Sequence, residues 1–136
     1  EASPDAVWNV LKQFERYPDW IDSVQATEVY RRKGDRIDVS FRVRAAGLSF
    51  EYSVAHRFRD RERYATWRLD EARSSDLAGS VGMWKVDAVP GAPGASLVTY
   101  SVELDLGHGV PGALRRLLVA RGLAEATEWV REASAG

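Results

Sequence analysis

The segment Arg36-Ile37-Asp38-Val39-Ser40-Phe41-Arg42-Val43-Arg44-Ala45 is followed by Ala46-Gly47. Then comes Leu48-Ser49-Phe50-Glu51-Tyr52-Ser53-Val54-Ala55-His56-Arg57-Phe58. Both halves alternate. Ile37, Val39, Phe41, Val43 and Ala45 fall on one face of the first half, with Arg36, Asp38, Ser40, Arg42 and Arg44 on the other. In the second, Leu48, Phe50, Tyr52, Val54, His56 and Phe58 oppose Ser49, Glu51, Ser53, Ala55 and Arg57. A period of two marks a strand with one buried face. A tight turn at Ala46-Gly47 sets Ala45 opposite Leu48. Val43 then meets Phe50, Phe41 meets Tyr52, Val39 meets Val54 and Ile37 meets His56, all on the apolar face. The same register sets Arg42 opposite Glu51, an attractive cross-strand pair. A slip of one residue destroys both patterns.

Upstream, Lys33-Gly34-Asp35 reads as a turn and residues 24–32 as a further strand. Before these, Ser3 is suited to cap a helix and Pro4 to its first position. Asp5 places negative charge where the helix dipole favours it. Val7, Val10, Leu11 and Phe14 recur at helical spacing, so the helix is expected to run until Pro18 stops it. Pro18 then starts a short second helix carrying Trp20 and Ile21.

Downstream, strands are expected at 63–71, 77–89 and 96–106. The second places Trp84 and Val86 on the same face as Ala78, Ser80 and Gly82, and the third aligns Val98, Tyr100, Val102, Leu104 and Leu106. Pro90-Gly91-Ala92-Pro93-Gly94 reads as a loop. Strands this regular, with no helical crossover, argue for an antiparallel sheet with one solvated face. A final helix is expected from about Pro111 to Ala133, approached through Gly107-His108-Gly109. Gly122 within it suggests a bend or a close backbone approach.

A chain of 136 residues is expected to form one domain over its whole length. It is 45% hydrophobic and 29% charged with a formal net charge of −1, so no global field draws it to nucleic acid or an anionic membrane. The zero cysteine count removes disulfides, thiol chemistry and cysteine-ligated metal, and fits a cytoplasmic setting. No run approaches the roughly 20 apolar residues of a membrane span. The bias to arginine, 16 Arg against 3 Lys, is interleaved with 20 acidic residues and reads as composition. His56 and His108 stand on different elements, which makes a metal site improbable; none is expected, nor any cofactor.

The pieces Ala2-Ser3-Pro4-Asp5-Ala6-Val7-Trp8, Phe14-Glu15-Arg16-Tyr17-Pro18-Asp19-Trp20 and Ala46-Gly47-Leu48-Ser49-Phe50-Glu51-Tyr52 carry a family likeness. Trp67-Arg68-Leu69, Trp84-Lys85-Val86, Val98-Thr99-Tyr100 and Val110-Pro111-Gly112 add to it. The chain resembles the polyketide cyclase/dehydrase and lipid-transport group of the START-like, helix-grip superfamily. That superfamily also holds the birch-pollen allergen, the coenzyme-Q-binding START proteins and the bacterial ribosome-association toxin. The resemblance implies an α+β fold. A curved antiparallel sheet would wrap around a long C-terminal helix, with two short helices near the N-terminus. Such domains carry a strand before the Ser-Pro helix. Only Glu1 and Ala2 stand there, so an open sheet edge is expected, and with it a possible homodimer.

The resemblance also implies a cavity between sheet and helix. Phe41, Phe50, Tyr52, Phe58, Trp67, Trp84 and Tyr100 supply an inward aromatic set, either plain core or the wall of a ligand pocket. Phe41, Phe50, Tyr52, Trp67, Trp84, Tyr100, Leu114 and Leu118 are the candidate ligand-binding residues. The ligand would be a small hydrophobic molecule such as a lipid, an isoprenoid quinone or a polyketide-like aromatic. His56, Tyr52, Tyr100 and Arg121 are the candidate catalytic groups for the alternative, a polyketide aromatase/cyclase. His56 is either a partner for a ligand carbonyl or a core histidine. His108 is a gate at the pocket mouth or a loop residue. Arg121, Glu125 and Glu128 are a solvated patch or a polar pocket lining. A third reading is a ribosome-association-type interaction module acting through Arg36, Arg42, Arg44, Arg57, Arg59 and Arg68, whose face is otherwise a solvated one. Catalytic triads and phosphate loops are absent, and Gly79-Ser80-Val81-Gly82 lies inside a strand pattern.

Overall fold

The computed structural model describes residues 2–45, 47–106 and 112–135, with side chains at all of these except 45, 113–115, 117–124 and 135. In chain order it has α1 (Pro4–Leu11), a 3-10 turn (Phe14–Arg16), α2 (Tyr17–Trp20), β1 (Val24–Lys33) and β2 (Arg36–Ala45). β3 (Leu48–Arg59), β4 (Tyr64–Leu69), β5 (Gly79–Val89), β6 (Ala92–Asp105) and α3 (Gly112–Ala135) follow. The strands form one curved antiparallel sheet in sequence order, with β1 and β6 at its edges. The helices lie against its inner face.

The register read from the sequence holds from Ala45 opposite Leu48 to Ile37 opposite His56. Arg42 Nε donates to Glu51 Oε1 at 2.9 Å. Gly47 supplies the left-handed conformation its turn needs, with φ +78°. The expected loop over Pro90–Gly94 contracts to a turn at Pro90-Gly91. β6 begins at Ala92, opposite Val89, after a register shift.

The first helix is shorter than expected. Ser3 caps it, its Oγ accepting from the Ala6 N–H at 3.3 Å, but it ends at Leu11 rather than at Pro18. The cause is a tertiary contact. The Tyr17 hydroxyl donates to the Leu11 carbonyl at 2.5 Å, satisfying an acceptor that a further helical turn would otherwise use. Gln13 leaves the helix with φ −89° and ψ 65°, and Phe14 drops into the core at 2% exposure. Pro18 sits in the first turn of α2 as expected. Ile21, however, is extended (φ −123°, ψ 113°) and buried rather than helical.

The outer sheet face also departs from expectation, because part of it is dry. Asp38 is 0% exposed and Ser53 is buried. The Arg36 guanidinium covers Asp38, its Nε 3.0 Å from both carboxylate oxygens, while Arg31 approaches to 3.5 Å. The Ser40 and Ser53 hydroxyls lie 2.7 Å apart. Buried charge and hydroxyl are thus paired, as burial requires. The arginines at 42, 44, 57, 59 and 68 are exposed.

β4 has 6 residues against the 12 of β3, so the first half of β3 runs past its neighbour. Residues 70–78 take the vacant side. Asp70 N–H donates to Ser53 O and Asp76 N–H to Glu51 O, both at 2.8 Å, and Glu51 N–H donates to Asp76 Oδ2 at 2.7 Å.

Packing is uneven along the inner face. Toward one end, Ile37, Val39 and Phe58 are buried in the core beneath α1 and the 3-10 turn. Toward the other, Phe41, Val43, Phe50 and Tyr52 are only half-buried. Trp129 anchors α3 to the buried region, with ring centroids 4.8 Å from Tyr17 and 6.0 Å from Trp20.

Gly82 keeps this wall thin. A Cβ there would stand 2.1 Å from Trp67 Cζ2 and 2.6 Å from the Ser101 carbonyl oxygen. One of these is backbone and cannot rotate away. Gly82→Ala is therefore expected to cost roughly 1–3 kcal/mol by overpacking. An unchanged urea midpoint would contradict the contact.

Candidate functional site

Where sheet and helices diverge, they enclose a cavity of about 470 Å³. Its floor is the half-buried end of the inner sheet face, and Leu77 from the 70–78 segment closes one side. Phe14, Tyr17, Ala126 and Trp129 form the roof. The exposed residues Asp22 and Arg44 line its rim, so the cavity opens to solvent there.

The strands bring six of the eight expected ligand-binding residues to this space: Phe41, Phe50, Tyr52, Trp67, Trp84 and Tyr100. Their rings line the floor and contact one another. Phe41 and Tyr52 stack at 5.5 Å and 20°, and Trp67 and Tyr100 at 5.7 Å and 27°. Trp84 tilts against Tyr100 at 4.5 Å. Phe58 belongs instead to the core behind the floor, edge-on to Trp8 at 5.3 Å. His108 and the side chains of Leu114, Leu118 and Arg121 lie outside what the structure describes.

Of the four catalytic candidates, His56, Tyr52 and Tyr100 converge on the cavity. His56 Nδ1 lies 3.1 Å from the Ile37 carbonyl oxygen, and its ring centroid lies 4.5 Å from that of Phe14. Burial disfavours the imidazolium and pushes the pKa down to about 4, against the opposing pull of the Ile37 carbonyl and Asp38. Burial likewise raises Tyr100 to about 12 and holds Tyr52 well above its ordinary value, Tyr100 adding to the latter. All three groups are neutral near pH 7. Neither tyrosine hydroxyl has a protein partner among the described residues, and the same holds for the indole N–H groups of Trp67 and Trp84.

The mouth is polar. Ser23 Oγ donates to Glu125 Oε1, and the Ser23 carbonyl accepts from the Arg44 N–H at 2.8 Å. Glu125 therefore lies on the cavity wall, whereas Glu128 is exposed. Sequence reasoning missed Ser23, Leu77 and Ser80. Of these, Ser80 was the legible one, since it shares the inward phase of Trp84. No group of three or more His, Cys, Asp or Glu among the described residues is arranged to hold a metal ion. No described helix is long and apolar enough to cross a membrane.

Residues 1–129 match the family described as polyketide cyclase / dehydrase and lipid transport. No curated protein matches the sequence significantly. Among solved structures, a START superfamily protein from Mycobacterium smegmatis is similar at TM-score 0.79 and 17% identity, over 95% of this chain and 87% of that one. A Streptomyces aromatase/cyclase gives 0.77 at 18% identity, over 98% and 86%. A STAR-related lipid transfer protein from Xanthomonas axonopodis gives 0.78 at 16%, over 99% and 81%. At these identities the likeness establishes a START-like fold.

The buried imidazole has a consequence for stability. The unfolded chain binds a proton at His56 near pH 6.5, whereas the folded chain binds it only near pH 4. Stability contributed by this residue is complete above the unfolded value and is lost as pH falls through the window between the two. The total loss is roughly 3 kcal/mol. Urea unfolding across this window should show a shallower acid dependence in His56→Phe than in the parent. Equal slopes would mean that His56 is not desolvated.

Proposed function

The chain belongs to the polyketide cyclase/dehydrase and lipid-transport family, and on that basis we propose that it binds and carries a small hydrophobic molecule. The observation that carries this reading is the cavity of about 470 Å³, floored by aromatic rings and dotted with polar tips that have no partner among the described residues. Its volume is in the range of small-molecule sites, about 300–1,000 Å³. Partly buried N–H and O–H groups without partners among the described residues favour an occupant that completes their hydrogen bonds. A lipid, an isoprenoid quinone or a polyketide-like aromatic meets these terms. The named activities of the lipid transfer protein and the aromatase/cyclase among the structural neighbours support the same range. The proposed setting is cytoplasmic, in keeping with a cysteine count of 0.

One observation favours a second reading, cyclisation of a poly-β-ketone: His56, Tyr52 and Tyr100 face one space. A neutral imidazole is a base and a neutral phenol an acid, which is the pair that enolisation needs. An enzyme of this kind would lose turnover in Tyr100→Phe by far more than it loses ligand affinity; unchanged turnover removes the reading.

The carrier reading is tested by filling the cavity. Val102 lines the floor beside Gly82, its cross-strand partner. Val102→Trp should weaken binding of a fluorescent phenylnaphthylamine dye by about tenfold or more, with the unfolding midpoint retained. A folded variant that binds the dye as tightly as the parent overturns the proposal.

A further inference from the structure

We propose that His56 determines the ligand class by accepting a hydrogen bond through Nε2 from a free hydroxyl on the ligand. The proposal rests on the binding reading above. It starts from the Ile37 carbonyl, 3.1 Å from His56 Nδ1. A carbonyl oxygen only accepts, so Nδ1 carries the hydrogen. A neutral imidazole has one N–H, which leaves Nε2 as a bare acceptor.

The surroundings hold the ring neutral. Phe14, Phe41, Phe58 and Trp67 pack around it, with centroids 4.5–6.3 Å away. The carboxylate nearest in the sheet, Asp38, points to the opposite face and is engaged there by Arg36 and Arg31. Nε2 has no partner among the described residues, although His56 is only 7% exposed and lines the cavity.

The other polar tips differ in kind. The Trp67 and Trp84 indoles only donate; the hydroxyls of Tyr52, Tyr100 and Ser80 both donate and accept. Glu125, an acceptor at the mouth, receives the Ser23 hydroxyl on Oε1. A ligand oxygen without hydrogen, as in an ether or a ketone, is served by several donors but leaves Nε2 unpaired in an apolar wall. A phenol, enol or alcohol satisfies it. Leaving a buried group unpaired is the strongest route to discrimination between ligands of equal shape. The rim disfavours an anionic ligand: its described charges are Asp22 and Glu125 against Arg44.

The test compares β-naphthol with its methyl ether, which share a ring system and differ by the O–H. Calorimetry at neutral pH on the parent should show β-naphthol binding about tenfold tighter or more. In His56→Phe, which keeps an apolar ring but no acceptor, the two should bind alike. NMR of the imidazole nitrogens in the parent should report hydrogen at Nδ1, a readout that survives if the variant does not fold. Equal binding of both compounds by the parent, a preference retained in the variant, or hydrogen at Nε2 each overturns the proposal. Binding of the phenylnaphthylamine dye with rejection of both naphthalenes overturns it alone. Rejection of all three probes overturns the carrier reading itself.

Discussion

The pairing of β2 with β3 governs what this protein presents to its interior. Because side chains alternate across a strand, one register puts Phe41, Val43, Phe50, Tyr52 and His56 on the same face, and the neighbouring register would turn one strand's set to water. The left-handed Gly47 at the turn and the Arg42–Glu51 ion pair outside both agree with the register seen. The exposed ion pair contributes little energy by itself. The apolar face supplies the drive, and it also fixes the Ile37 carbonyl next to the His56 ring.

A sheet that bends around helices leaves space wherever the helices run out. Here α1, the 3-10 turn and Trp129 fill one end of the concave face, where Val39 is 0% exposed. The other end has no comparable filling among the described residues, and its aromatic side chains are half-buried. The same residue type therefore serves two purposes within one strand. Phe58 is core and Phe50, eight positions earlier, is cavity wall. Burial along the strand, and not the aromatic character itself, separates the two.

Elements whose causes are local were legible in the sequence. The hairpin register, the Ser3 cap and the inward phase of Trp84 all follow from periodicity and from single turn or cap residues. The end of α1 was not, because its last carbonyl is satisfied by Tyr17, six residues ahead and across a change of direction. The dryness of Asp38 was hidden for a similar reason. It depends on Arg31 reaching across from β1 as well as on Arg36 two positions away. His56 could be placed opposite Ile37 from the sequence, but not given a tautomer, since that follows from a distance to a backbone atom. Gly82 was set aside as part of a glycine-serine run. An isolated glycine in a strand often marks a close approach, and its register partner Trp67 names what approaches.

The Ser23–Glu125 hydrogen bond joins groups 102 positions apart, whereas every strand pairing joins consecutive strands. Loop-closure entropy makes the sheet's contacts quick to form and those of α3 slow. The binding space thus has a place in time as well as in the fold. A nascent meander can hold its strand register, yet offers no enclosed chamber until α3 has been synthesised and has docked. A ligand that stabilises the enclosed state acts on the last step of folding. It should slow unfolding more than it speeds folding.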